Sequence, residues 1–144
     1  MQNFPHHYGV TADGAATGRV LVSSPNLPVW TTDAPAEFDG PGDVWSPETM
    51  LVGAVANCFI LTFRAVARAS KFEWQQLSCK AVGVLDRVER VTQFSEIHLT
   101  VTLVVAAGTD VEKAQRLLEK AEQNCLITNS LKGKVHMETD VQTG

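Results

Sequence analysis

The 144-residue chain is expected to adopt an α+β fold, as three sequence patterns indicate. Short strand-like segments come first, a long apolar helix follows, and two long segments of alternating hydrophobicity form a hairpin. An amphipathic helix and a last strand complete the order. Because strands that follow one another in sequence favour antiparallel pairing, we expect antiparallel sheets combined with two helices.

Composition and charge indicate one globular domain that spans residues 1–144. Hydrophobic residues make up 44% of the chain, and the 12 Lys and Arg residues are scattered along it. A nucleic-acid binder usually carries a basic patch, so nucleic acid is not an expected partner. No apolar run reaches the ~18 residues of a membrane span, and the N-terminus lacks the pattern of a secretory signal. We therefore expect a cytoplasmic protein with no membrane partner.

The first third of the chain predicts short strands and a long loop. A strand is expected near residues 8–11, and two more at 19–24 and 27–32, on either side of a turn at Pro25-Asn26. Residues 33–44 contain two prolines and two glycines without periodicity, which indicates a loop.

A long apolar helix is predicted next. Ser46 is a good N-cap, Pro47 suits the first helical position, and Glu48 suits the positive end of the helix dipole. Residues 50–63 are almost wholly apolar, which indicates burial on nearly all sides. The helix should end near Ser70. One domain of this size rarely surrounds such a helix, so a partner subunit is expected to supply part of its cover.

Two long strands are predicted at residues 75–88 and 92–105, with a charged hairpin tip between them. From Ile97 onwards, apolar and polar residues alternate, which is typical of a sheet with one covered face.

An amphipathic helix is predicted at residues 109–125, with Asp110 as its N-cap and an apolar face formed by Val111, Ala114, Leu117, Leu118 and Ala121. Cys125 lies four residues beyond Ala121 and therefore on the same inward face. Residues 133–141 are expected to form the last strand.

The chain has three cysteines, Cys58, Cys79 and Cys125, with wide spacing and no C-x-x-C pair. This pattern argues against a disulfide framework or a zinc site. Cys79 is expected to fill space in a strand, whereas Cys58 and Cys125 are either buried small side chains or reactive thiols.

Glu48 precedes Cys58 by ten positions, which is ~15 Å along one helix, so the two side chains cannot touch within that helix.

Two segments carry a family resemblance. "SPETMLVGAVANCF", which contains Glu48 and Cys58, resembles the first signature of the OsmC/Ohr family of thiol peroxidases. "KAEQNCLITNSLKGKV", which contains Cys125, resembles the second signature. The separation of the two cysteines and the hairpin between them also fit, so the resemblance covers roughly residues 8–142.

The resemblance implies a fold and a chemistry. The fold would be an intertwined homodimer in which antiparallel sheets wrap two central helices, with active sites at the subunit interface. Cys58 would attack an organic hydroperoxide and become a sulfenic acid, and Cys125 would condense with it to a disulfide that a dithiol reductant then reduces. Glu48 would orient an arginine that stabilises the Cys58 thiolate.

The chain departs from the family pattern at two places. Glu37, in "AEFDG", stands where OsmC-type members carry that arginine, and Arg19, in "GAATGRV", lies on the other side of Gly18 from the position used by Ohr-type members. Arg19 is a possible substitute cation. Leu126 replaces the proline that usually follows the second cysteine.

These patterns lead to one preferred function and two alternatives. The preferred one is a cysteine-based peroxidase, an antioxidant oxidoreductase of the stress response, that acts on organic hydroperoxides without a cofactor. The second is a member of the same fold that binds a lipophilic ligand or senses redox state at the interface pocket. The third is a structural domain with inert cysteines.

No metal site is expected, because His6-His7 lack further ligands and His98 should be exposed or hydrogen-bonded.

Overall fold

The computed structural model describes all 144 residues as two compact units, Met1–Met50 and Leu51–Gly144. The first unit is a three-stranded antiparallel sheet in the order β1-β2-β3 followed by a loop and a helix start. Its strands are β1 (Thr11–Asp13), β2 (Val20–Ser23) and β3 (Trp30–Thr32).

The turn and the two strands predicted at residues 19–24 and 27–32 are present, although both strands are shorter, and the strand predicted near residues 8–11 overlaps β1 only at Thr11. Strand β1 begins at Thr11 rather than at residue 8, because Thr11 pairs with Ser23, the last residue of β2. At the predicted turn, the Leu27 N–H donates to the Ser24 carbonyl at 3.2 Å, and Asn26 has a φ of 64°. Asparagine tolerates this left-handed conformation at the third position of a turn.

Helix α1 (Pro47–Ala69) begins where its sequence predicts. Ser46 caps it: the Ser46 hydroxyl accepts from the Thr49 N–H at 3.2 Å, and the Thr49 hydroxyl accepts from the Ser46 N–H at 2.9 Å. Two amides are thus satisfied reciprocally, with threonine in the place that Glu or Gln takes in a capping box. The helix ends at Ala69, next to the predicted Ser70.

One face of helix α1 packs into the core of the second unit, so the expected burial on nearly all sides is not present within one chain. Its mean hydropathy of 1.8 over 18 residues is high enough for a membrane span by composition alone, a property that buried helices of soluble proteins share. The buried side chains on α1 are Val55, Phe59, Phe63, Val66 and Ala67. They belong to the apolar core formed with the sheet.

The sheet of the second unit is built on a long hairpin, β4 (Gln76–Val88) and β5 (Val91–Val105). Glu89 and Arg90 form its two-residue loop with φ angles of 50° and 70°, which is the geometry of a type I′ turn. The predicted alternation in β5 is confirmed by its buried residues, which are Ile97, Leu99, Val101, Leu103 and Val105. A Cβ at Gly83 of β4 would lie 2.8 Å from Val52 of α1, so the glycine permits close approach of helix and sheet.

Helix α2 (Val111–Gln123) has the predicted cap, since the Asp110 carboxylate accepts from the Lys113 N–H at 3.0 Å. Its predicted apolar face is buried except at Val111, the first residue of the helix, which is 49% exposed. A short helix that the sequence analysis did not predict, α3 (Leu126–Asn129), follows.

The last strand, β6 (Lys134–Thr143), differs from expectation in direction. It pairs with β5 in parallel, so the sheet order is β4-β5-β6 and the expected antiparallel pairing is wrong for this strand. Helices α2 and α3 carry the chain from the end of β5 back to the start of the sheet. A helical crossover of this kind delivers a parallel strand, whereas a short hairpin loop delivers an antiparallel one. The α+β class is confirmed.

Candidate active site

Cys58 lies in the middle of α1, half-buried and next to the buried Phe59. Thr62 stands four residues later, which places it one turn along on the same face of the helix. The Thr62 hydroxyl and the Cys58 sulfur are 3.6 Å apart, within hydrogen-bonding range for sulfur.

Cys125 approaches Cys58 from the connection between α2 and α3. It is 1% exposed and is the N-cap residue of α3. Hydrogen bonding from the backbone N–H groups of Ile127 and Leu126, which open α3, and from the Cys125 thiol lowers the pKa of the Cys58 thiol. The structure therefore brings together the two cysteines that the sequence analysis paired, although they lie on separate helical segments.

The environment of Cys58 favours its thiolate. Burial by itself would raise the pKa of the Cys58 thiol, but the hydrogen bonds from Ile127, Thr62, Cys125 and Leu126 outweigh burial, and the pKa falls below its ordinary value. A hydrogen bond to the charged form of an acid always acts in this direction. All four donors are neutral groups of the same chain.

Cys125 has the opposite tendency. Burial raises the pKa of the Cys125 thiol, the Thr128 hydroxyl and amide lower it, and its hydrogen bond to Cys58 raises it again, with a net increase. The pair is thus polarised, with the proton on Cys125 and the negative charge favoured on Cys58.

Cys79 is the inert thiol that the sequence pattern indicated. Burial, with a smaller contribution from the charge of Cys125, raises the pKa of the Cys79 thiol to about 11. A protonated, buried thiol is a poor nucleophile.

Leu126 is the functional position whose role the sequence analysis missed. It was noted only as a departure from the family pattern, yet its N–H is one of the donors to Cys58. A proline at this position would have no N–H to donate. The departure itself was visible in the sequence, but the sequence does not show where the amide points.

Glu48 and Arg19 lie in the first unit, Met1–Met50. One carboxylate oxygen of Glu48, Oε1, is buried and has no hydrogen-bond partner. Glu48 also lines an apolar cavity of about 390 Å³ in that unit, together with Val20, Val22, Phe38 and Met50.

Arg19 is engaged with two aspartates. Its guanidinium donates to both carboxylate oxygens of Asp43, at 2.7 and 2.8 Å, and lies 3.9 Å from Asp33. Glu37, which stands where the family arginine was expected, is exposed on a 3₁₀ turn (Ala36–Phe38). The roles expected of Glu48 and Arg19 stay predictions.

One further group has the chemistry of a metal centre. The possible ligand atoms of Glu96, His98 and His136 lie within 4.8 Å of one another on β5 and β6. The sequence analysis expected no metal site and did not consider His136.

Comparison with known proteins agrees with this fold. The model of the family described as OsmC-like protein matches residues 40–140. An uncharacterized protein of Bacillus subtilis, YmaD, is 30% identical over 140 residues, which cover 94% of this chain and 93% of that protein. The organic hydroperoxide resistance protein of Xanthomonas axonopodis pv. citri is 30% identical over 128 residues, 87% of this chain and 86% of its own length.

Solved structures show the same fold. An OsmC-like protein of unknown function from Vibrio cholerae superimposes with a TM-score of 0.86 at 16% identity, over 94% of this chain and all of that one. An organic hydroperoxide resistance protein from Elizabethkingia anophelis has a TM-score of 0.77 at 22% identity, over 99% of this chain and 100% of that chain. The family model and the relatives at 30% identity show that the chain belongs to the OsmC-like protein family.

Proposed function

We propose that the protein is a thiol peroxidase that reduces organic hydroperoxides through Cys58 and Cys125. A peroxidase-type role is supported at the level of the family, because relatives of this chain are named organic hydroperoxide resistance proteins. The observation that carries the proposal for this chain is the polarised thiol pair, in which Cys58 has a lowered pKa and receives a hydrogen bond from Cys125.

The first step is attack of the Cys58 thiolate on the terminal oxygen of ROOH. The S–O bond forms while the O–O bond breaks, and the alkoxide leaves as the alcohol after it gains a proton. Cys58 is then a sulfenic acid. Hydrogen-bond donors around the sulfur lower the pKa of the Cys58 thiol and so favour its thiolate before this step.

The second step uses Cys125, which already contacts Cys58. Its sulfur attacks the sulfenic sulfur, the S–S bond forms, and water leaves with the sulfenic oxygen. The raised pKa of the Cys125 thiol suits this order of the two steps, because a protonated Cys125 does not compete with Cys58 for peroxide. A dithiol reductant then restores both thiols by exchange through a mixed disulfide.

A homodimer is part of the proposal. Only 22% of the most apolar window of α1 is buried within one chain, although its mean hydropathy is 1.8. The first unit also exposes large apolar side chains, which are Val10, Leu21, Leu27, Val29, Trp30, Phe38 and Trp45. An apolar surface of this extent marks an interaction site, and a second copy would bury it. Residues 1–144 of each copy would form one cytoplasmic domain.

Glu48 supports the same assembly. A buried carboxylate oxygen without a hydrogen-bond partner is costly. An arginine contributed by the second copy would satisfy it, and Arg19 is the candidate. Such a cation would add to the neutral donors that already lower the pKa of Cys58.

The alternative function, binding of a lipophilic ligand, is supported by the apolar cavity beside Glu48 and by a neighbouring one of about 370 Å³ lined by Val22, Leu27 and Trp30. The two functions differ in whether Cys58 consumes peroxide.

Peroxide consumption with cumene hydroperoxide and dithiothreitol tests the proposal. Cys58→Ser should abolish turnover, and Cys125→Ser, tested without dithiothreitol, should stop after one equivalent of peroxide with a trappable sulfenic acid on Cys58. Cys79→Ser is the matched control and should retain full turnover. Unchanged consumption by Cys58→Ser would overturn the peroxidase and leave the ligand-binding alternative.

A further inference from the structure

Glu96, His98 and His136 form a compact group on the outer face of the second unit's sheet. His98 and His136 are directly opposite each other in the parallel pairing of β5 with β6. Glu96 lies two residues before His98, so the period of the strand places both side chains on one face. The opposite face of β5 carries the buried core residues.

The three side chains already contact one another. The His98 Nε2 lies 3.3 Å from the Glu96 Oε2, and the His136 Nε2 lies 3.6 Å from the Glu96 Oε1. The two imidazole rings stack with centroids 4.9 Å apart and an interplanar angle of 16°. Both Nε2 atoms therefore point towards one carboxylate from adjacent strands.

We propose that Glu96, His98 and His136 bind a divalent transition-metal ion, with Zn²⁺ as the reference ion. Two imidazoles and one carboxylate are ligands that zinc takes at ~2.0–2.2 Å. The possible ligand atoms lie within 4.8 Å of one another, so small side-chain rotations bring all three to that distance from a common centre. The side chains are 44–51% exposed, and water fills the remaining coordination positions.

The two imidazole ligands favour transition metals over the hard cations Mg²⁺ and Ca²⁺, which prefer all-oxygen sites. Lys134 is the register partner of Glu96, yet the Glu96 carboxylate makes its close contacts with the two histidines instead. The ion would join β5 to β6 on the face opposite the core, and the site is independent of the thiol pair.

Calorimetric titration of the full chain with ZnCl₂ tests this site. The parent protein should carry Cys58→Ser and Cys125→Ser, because thiolates also bind zinc. We expect one Zn²⁺ per chain and a dissociation constant at least tenfold higher in His98→Ala and in His136→Ala. Absence of a binding isotherm at millimolar Zn²⁺, or equal affinity in all three proteins, would overturn the proposal.

The matched control is the double variant His6→Ala, His7→Ala, which removes the remaining histidines of the chain. It should bind Zn²⁺ as tightly as the parent. A loss of binding confined to this control would place the ion at the N-terminus and would also overturn the proposal. As a second readout, Zn²⁺ should raise the melting temperature of the parent and of the control, but not of Glu96→Gln, whose side chain keeps its shape and loses its charge.

Discussion

Leu126→Pro is the most direct perturbation of the proposed thiolate site. The substitution removes one N–H donor from Cys58 and leaves the other three, Ile127, Thr62 and Cys125. The position tolerates proline: Leu126 opens α3, where proline is favoured, and the preceding Cys125 has φ −69° and ψ 107°, which proline allows. Leu126 is also 66% exposed, so little packing is lost.

The expected effect follows from the number and order of the donors. A hydrogen bond to a charged group contributes ~1.5–3 kcal/mol. The Leu126 N–H makes the smallest of the four contributions that lower the pKa of Cys58, so the lower figure applies. At a pH below the pKa, a loss of about 1.4 kcal/mol in thiolate stabilisation makes the thiolate population tenfold smaller. Because a more basic thiolate is also more nucleophilic, the rate at neutral pH should fall roughly threefold to fivefold.

The assay is the second-order rate of reaction of Cys58 with cumene hydroperoxide as a function of pH. In Leu126→Pro the midpoint of the pH profile should move upwards and the rate at neutral pH should fall. Leu126→Ala keeps the N–H and loses only the side chain, so it should match the wild type. Equal profiles for the proline and alanine variants, with unchanged circular dichroism, would refute the assignment of this amide as a donor.

Other consequences of the structure can be measured separately. Thr62→Val should also raise the pH midpoint of the Cys58 reaction, because it removes a donor 3.6 Å from the sulfur; Thr100→Val, on the outer face of β5, is the control and should leave the profile unchanged. In the wild type, the lowered pKa means that the Cys58 thiolate is retained to a lower pH than an unperturbed thiolate, so iodoacetamide should label Cys58 at a lower pH than it labels an unperturbed cysteine; coincident profiles would contradict this. Phe59→Ala should lower the free energy of unfolding by about 3–5 kcal/mol, because the side chain is fully buried, and chemical denaturation measures it. Asp110→Ala should cost about 1 kcal/mol through loss of the α2 cap; a smaller loss than that of an exposed-site control would count against the cap.

The sequence by itself determined most of the helices and strands of the chain. The caps at Ser46 and Asp110, the apolar helix, and the alternation in β5 were readable because hydrophobic period and capping are local properties of the chain. The two cysteine motifs were sufficient for the family, which the comparisons confirm.

Only the tertiary structure decided which groups meet. The sheet register sets His98 opposite His136, and the helical crossover makes β6 parallel to β5. The same crossover brings the amides of Leu126 and Ile127 to the sulfur of Cys58. Such contacts join residues that are far apart in sequence, and they depend on register and direction, which hydrophobic patterns leave open. The activation of Cys58 by backbone amides was therefore hidden until the fold placed them.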